Sequence, residues 1–421
     1  MPLHCIIVGA GIAGLCTAVA LQKVGHSVKV FEKSSFVGEV GSALLIAPNG
    51  ERVLRHLGIN LVRSEADPAS YFEVKDGITL EPRDYHALRD PGAEFGVPLY
   101  TIHRADLQND LLRLASNVEI KLGTRVVAAN AELCFVELDD GTRHYADLII
   151  GADGIHSILR SVVMGDERAA RATPSLLSAF RCMVPTSVLE SDTHFTQLQS
   201  IKGPSCVLFA DTTRESQHHI VWFTCRRGQL QVFVGVHDKP SEDQEDLRAL
   251  VLDEFRHFHP SVKNFIELAE SVTDWPLYVH DPLSTWKRGR VVLTGDAAHP
   301  MLPLGAQGAN QAIEDAGALC VLLDGVEEPE HIATRLAIYE EVRKLRASRI
   351  QILSQVRLGR EMDVQDELRK YADPPGSETP TSFSERYRHD YSFDVLTTSR
   401  DLLRQREQDG FLSTQGGSNA L

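Results

Sequence analysis

The chain opens on a short apolar run, His4 to Val8, that stops at a glycine. An unbroken run of this length predicts a strand buried on both faces of a parallel sheet. Ala13 to Lys23 stays apolar over several turns and ends before Gly25, which predicts a helix. Ser27 to Phe31 repeats the strand pattern, completing a βαβ unit. A helix is expected around Ala47 to Leu57, after a loop at Gly38 to Ala43. Residues 70–100 read as short strands and turns. Arg104 to Ala115 reads as a helix with Leu107, Leu111, Leu112 and Leu114 on its apolar face. Val118 to Val127 and Cys134 to Leu138 are expected as strands of a meander. Asp147 to Ile150 is another buried strand.

Between about 176 and 280 the pattern turns β-rich, in runs such as Leu176 to Val184, Ser205 to Ala210, His219 to Thr224 and Gln231 to Val236. Polar turns separate them, so an antiparallel sheet layer is expected. Arg290 to Leu293 returns to the buried-strand pattern. Ala309 to Leu323 and Ile332 to Leu358 predict long helices. Residues 405–421 are polar and predicted to be a disordered tail.

The composition narrows the class. A chain of 421 residues favours two or three domains and needs neither disulfide nor metal to hold its core. No residue is assigned to a metal. The net charge of −15 argues against nucleic acid as a partner. Seven scattered cysteines without a Cys-x-x-Cys fit reduced thiols and a cytoplasmic location. Cys5 to Leu21 mimics a signal peptide but lacks a basic leader. No stretch reaches the ~18 apolar residues of a membrane span.

Three motifs carry chemistry. Gly9, Gly11 and Gly14 lie between the first strand and its helix, spaced G-x-G-x-x-G. Gly9 permits the tight turn, Gly11 a close approach to a pyrophosphate, and Gly14 helix–strand packing. Glu32 ends the second strand, where a carboxylate accepts hydrogen bonds from ribose hydroxyls and disfavours a 2′-phosphate. The bound dinucleotide is therefore expected to be FAD or NAD; Lys33 is counted with this site. In the second motif a strand delivers Asp296 to a sheet end, and a loop through Pro303 opens a helix at Gly308, Ala309 and Asn310. Its free N–H groups suit a ring carrying negative charge, and Asp296 suits a polyol chain. In the third, Asp153 and Gly154 leave a buried strand. Asp153 has two readings: a cap for the next helix, or part of a turn that covers dinucleotide phosphates.

Together these residues resemble the single-component FAD-dependent aromatic monooxygenases, called group A. Gly9-x-Gly11-x-x-Gly14 with Glu32, Asp153-Gly154, and Gly295-Asp296 with His299-Pro300 are similar to that family's three motifs. Glu39 to Ala43, Pro48-Asn49-Gly50, Ala306 to Ala309 and Ala312 to Ala316 are similar to its salicylate hydroxylase-like branch, including fungal biosynthetic members. The resemblance implies an α/β (α+β) fold, in which a Rossmann-type FAD-binding domain is interleaved with an antiparallel-sheet substrate domain and followed by a helical C-terminal segment. The expected parts are FAD binding at 1–70, 101–175 and 281–330, substrate domain at 71–100 and 176–280, C-terminal helices at 331–404, and a tail at 405–421.

It further implies tightly bound, non-covalent FAD, NADH or NADPH as transient reductant, and O2 activated as a flavin C4a-hydroperoxide that hydroxylates a small aromatic substrate. Arg104 is implied near the flavin or the pyrophosphate, and Pro303 near the flavin's reactive carbon. Arg181 is implied on the substrate sheet, although on its residues alone it is equally a surface-strand cation. His299 is expected to be structural, and one of Trp222 and Phe223 to line the pocket. Alternatives are a related oxygenation (epoxidation or oxidative decarboxylation), a plain NAD dehydrogenase, and a flavin-binding protein without catalysis.

Overall fold

The apolar run His4–Val8 lies inside a six-stranded sheet. The computed structural model describes residues 1–35, 43–83, 88–168, 170–202, 205–212, 218–238 and 246–409. The sheet order is Lys287–Arg288, Val291–Leu293, Leu148–Gly151, His4–Val8, Ser27–Phe31 and Glu119–Lys121. All pairings are parallel except the first, which is antiparallel. The register positions the site. Val8 pairs with both Phe31 and Gly151, and Gly151 pairs with Leu293. Four strands therefore end on one level, and their four following loops share one crevice.

Helix Ile12–Lys23 is buried nearly all round, because the sheet covers one side and helix Gly308–Leu323 another. Gly14 makes this packing possible, since a Cβ there would lie 1.9 Å from the carbonyl oxygen of Gly9.

A second, seven-stranded sheet runs Val272–Val279, Thr173–Pro185, Leu230–His237, His219–Cys225, Ser205–Ala210, Tyr71–Asp76, Leu88–Arg89. Alternation sorts its side chains. Phe180, Trp222 and Phe233 face helices Thr193–Lys202, Leu247–Glu254 and Pro260–Leu268. Phe223 and Val232 face the opposite way, toward Phe383, Tyr387 and Tyr391 of helix Phe383–Ser392. Each buried Phe in these layers stabilises by roughly 1.5–3 kcal/mol.

Several expectations need correction. The second sheet is not wholly antiparallel: Ser205–Ala210 pairs in parallel with Tyr71–Asp76. The stretch 176–280 also holds helices that its residues did not announce, because helices this short are stabilised by tertiary packing rather than by a long periodic pattern. Glu119–Lys121 belongs to the parallel sheet, while Val126–Asn130 starts a separate sheet with Phe135–Leu138 and Arg143–Tyr145. Gly123, at φ +62°, turns the chain between them. The helix expected to reach Leu358 spans Ile332–Leu353. Ser354 follows it, and its hydroxyl bonds back to Gln351 O and accepts Leu302 N–H. The tail expected from residue 405 starts inside helix Val395–Gln408; the remainder lies outside the described residues.

All seven cysteines are buried, and none forms a disulfide. Among the described residues no helix is long and apolar enough to cross a membrane.

Candidate active site

A cavity of about 360 Å³ opens where the carboxyl ends of the parallel strands meet the seven-stranded sheet. Gly11, Gly154, Gly308 and Ala309 contribute backbone from all three motifs. Ala43, Arg104, Arg181, Asp296 and Pro303 also line it. These nine therefore come from separate parts of the chain to one place.

The motif glycines divide into two kinds. A Cβ on Gly9 would lie 2.3 Å from the carbonyl oxygen of Ala152, and one on Gly295 2.7 Å from Ala13 Cβ. Those glycines let protein pack on protein. A Cβ on Gly11, Gly154 or Gly308 would meet nothing within 4 Å. Those three bare backbones face the cavity instead. Helices Ile12–Lys23 and Gly308–Leu323 both start here, and neither has a side-chain cap. Their first-turn N–H groups and dipoles favour an anion. A pyrophosphate and an electron-rich ring fit such a cradle.

Glu32 ends its strand as expected. One carboxylate oxygen accepts Ala10 N–H at 2.7 Å and the other Ser34 N–H at 2.8 Å. An ionised carboxylate has about four acceptor positions, which leaves room for ribose hydroxyls. Lys33 is exposed beside it and does not line the cavity.

Asp296 projects into the cavity and is exposed there, although protein surrounds it. Burial raises its carboxyl pKa against the pull of His299, Arg104 and Arg160. Its carboxylate has no hydrogen-bond partner among the described residues, so its acceptor positions are open to a ligand. Arg104 begins helix Arg104–Leu114 and faces the same cavity. Burial lowers its pKa while Asp296 raises it.

Arg181 lies in a row set by strand register: it pairs with Val234, which pairs with Val221, and all three line the cavity. Its guanidinium stacks 4.3 Å over the ring of Trp275. Among the described residues no acceptor hydrogen-bonds to it. Burial and the neighbouring charge of Arg104 bring its pKa down to about 10. It remains a cation at neutral pH, and one that gains from an incoming anion.

Pro303 starts the turn Pro303–Gly305, and Leu302 and Leu304 anchor that turn against Ala179 and Val236 of the sheet. Ala306 closes it at φ +52°, a conformation that costs a residue with a Cβ about 1–2 kcal/mol.

Asn310 and Asp153, counted among the cofactor-binding residues, turn their side chains to the protein. Asn310 does not offer its amide to a cofactor: it accepts Ala47 N–H and donates to Leu45 O and Ala306 O, with no exposure. It clips the cavity wall to the helix start. Asp153 takes the capping reading: it accepts from Ser157 Oγ at 2.6 Å and Ile158 N at 2.8 Å, and Gly154 lines the cavity in its place. Neither Trp222 nor Phe223 lines this cavity; their neighbour Val221 does. His299 is structural as expected, bonded at 2.7 Å to Asp315 and buried.

Arg160 has a role that the residues alone did not disclose. It is fully buried and donates to the carbonyls of Ile155, Ala170, Asp296 and Ala297. It thereby stitches the turn at Gly154 to the turn at Asp296. Behind the cavity lies a second hidden feature. Glu314 and Asp315, both fully buried, pair with Arg343, and Glu314 also with Arg346. Acids about two helical turns inside Gly308–Leu323 and basic residues spaced by three in Ile332–Leu353 were the available signal.

Fold and site define a dinucleotide-binding flavoprotein whose cofactor crevice faces a second sheet. The chain belongs to the FAD binding domain family, whose model matches residues 3–353. It is 32% identical to an FAD-dependent monooxygenase of Aspergillus candidus, over 96% of this chain and 95% of that one. It is 33% identical to hispidin-3-hydroxylase of Neonothopanus nambi, over 82% and 86%. Its fold matches a salicylate hydroxylase–substrate complex with a TM-score of 0.75 and 28% identity, covering 95% and 97%. The protein is an FAD-dependent monooxygenase.

Proposed function

We propose that this monooxygenase hydroxylates a small aromatic substrate that carries a phenolate or carboxylate, with NADH or NADPH as the transient reductant. Arg181 carries this reading. It is a largely buried cation with no acceptor among the described residues, it stands in a sheet row with Val221 and Val234, and it lines the same cavity as the glycine cradle. An aromatic ring packs on the valines, and its anionic group neutralises Arg181. The relatives named above include a hispidin-3-hydroxylase and a salicylate hydroxylase.

When bound, FAD supplies the transfer of electrons from the nicotinamide cofactor to O2. The protein supplies the surroundings. Asp296 binds polyol hydroxyls. The N-terminus of helix Gly308–Leu323 stabilises negative charge on the ring beside it. Pro303 and Leu302 wall the reaction space and exclude water, which strengthens every charge interaction inside. Arg181, stacked on Trp275, fixes the substrate's orientation.

The test is NAD(P)H oxidation across a panel of hydroxybenzoates, phenols and neutral arenes. Acidic aromatics should stimulate consumption and give hydroxylated product. Arg181→Ala should keep its yellow colour but raise KM for acidic substrates by roughly 10–100-fold, reflecting about 1.5–3 kcal/mol from a charged hydrogen bond. Equal turnover of neutral and acidic rings would remove Arg181 and the anion from the reading.

A further inference from the structure

The face of the seven-stranded sheet turned away from the flavin cavity carries a histidine-rich cluster that the oxygenase chemistry does not use. Alternation puts it there: Asp211 shares a side with Phe209, and His218 shares one with Ile220 and Trp222, all facing the helices. His257 approaches from the turn after helix Leu247–Glu254. One ligand atom from each of Asp211, His218 and His257 lies within 4.8 Å of the others.

The arrangement goes beyond packing. His257 Nε2 is 2.9 Å from Asp211 Oδ2. His218 is buried, and its Nδ1 has no hydrogen-bond partner among the described residues, an orphan that folding otherwise penalises. Its other nitrogen, Nε2, accepts Asp238 N–H and lies 3.6 Å from Glu254 Oε2 and 3.8 Å from Asp238 Oδ2. With an ion on Nδ1 the ring proton passes to Nε2, which then donates to the carboxylate of Glu254 or Asp238 in place of accepting Asp238 N–H, and a carboxylate there orients and strengthens the imidazole as a ligand. Two imidazoles and one carboxylate form a donor set for zinc-class divalent ions, with a fourth position for water. Zinc ligands sit ~2.0–2.2 Å from the ion, so atoms already this close converge by side-chain rotation.

We infer that Asp211, His218 and His257 form a binding site for a divalent transition ion of the zinc class, which ties the sheet end to the turn after helix Leu247–Glu254. Because it lies on the sheet face opposite Arg181, the ion acts on stability rather than on oxygenation.

The experiment uses full-length, tag-free holoenzyme, dialysed against chelator and titrated with zinc sulfate by calorimetry and thermal melting. One equivalent should bind with micromolar or tighter affinity and raise Tm by about 2 °C or more. His257→Ala should weaken binding by more than ~10-fold while keeping flavin content and turnover. His331→Ala, at an exposed histidine, should bind zinc as the parent does. Failure of the parent to take up one equivalent would overturn the site. So would binding that survives in both His257→Ala and Asp211→Asn.

Discussion

Gly9 and Gly11 stand two residues apart and answer to different constraints. Gly9 sits at φ +104° against the backbone of Ala152. Gly11 has an ordinary φ of −71°, and its missing side chain faces only the cavity. Gly9→Ala should therefore destabilise the protein itself, by about 1–3 kcal/mol from strain plus the clash with Ala152, seen as a lower Tm with or without FAD. Gly11→Ala should leave the apoprotein melt unchanged and weaken FAD binding, read by flavin fluorescence on titration. Identical behaviour of the two variants would refute the division into packing and cradle glycines. Asp296 permits a test with the opposite sign. Burial raises its carboxyl pKa, so the ionised group costs the folded apoprotein free energy. Asp296→Asn should melt higher as apoprotein and retain less FAD; a lower apoprotein Tm would contradict this.

At the scale of elements, the site depends on buried ionic ties that hold its helices in place. Arg160 joins two motif turns through backbone carbonyls, so Arg160→Met should leave several of them unpaired. A loss of about 3–5 kcal/mol is expected in denaturant unfolding, with loss of flavin. Helix Gly308–Leu323 is tied by Glu314 and Asp315 to Arg343 and Arg346. Breaking one member strands a buried charge, whereas replacing the set with apolar residues need not destabilise. Both helices were legible in the residues from their apolar runs. The ties between them were not, because a buried Arg and a solvated Arg look alike in a sequence.

The same network sets the pH response of the whole molecule. Burial pushes the carboxyl of Glu314 up, but Arg346 and Arg343 outweigh it and hold it below the usual carboxylate range. Asp390 is likewise held low, by His389 and Arg349. A depressed carboxylate stabilises above its unfolded pKa, and this contribution is lost as pH falls through the folded value. His389 shows the reverse. Burial lowers its pKa, but bonds to Asp373 and Asp390 raise it above 6.5. Its contribution is present below about 6.5 and is lost as pH rises through the folded value. Thermal melts across pH should show an acid limb below about pH 4 and a decline above about pH 6.5. Asp373→Asn should flatten the second limb; an unchanged limb would assign it elsewhere.

The sequence by itself determined the parallel core, the three motifs and the cofactor class. Strands buried on both faces leave unbroken apolar runs, and a backbone that must approach phosphate admits only glycine. Both constraints act on neighbouring residues and so can be read along the chain. Tertiary structure decided which side chains face the cavity. Val221 rather than Trp222 lines it, because strand alternation and the helices beneath the sheet jointly choose the side. It tied Asn310 to the backbone of Ala47 and Leu45, and it placed Arg181 where no acceptor among the described residues reaches it. Asn310 finds two of its partners more than 260 residues away, and the sheet face is chosen by helices elsewhere in the chain, so register and packing, not local pattern, settle them.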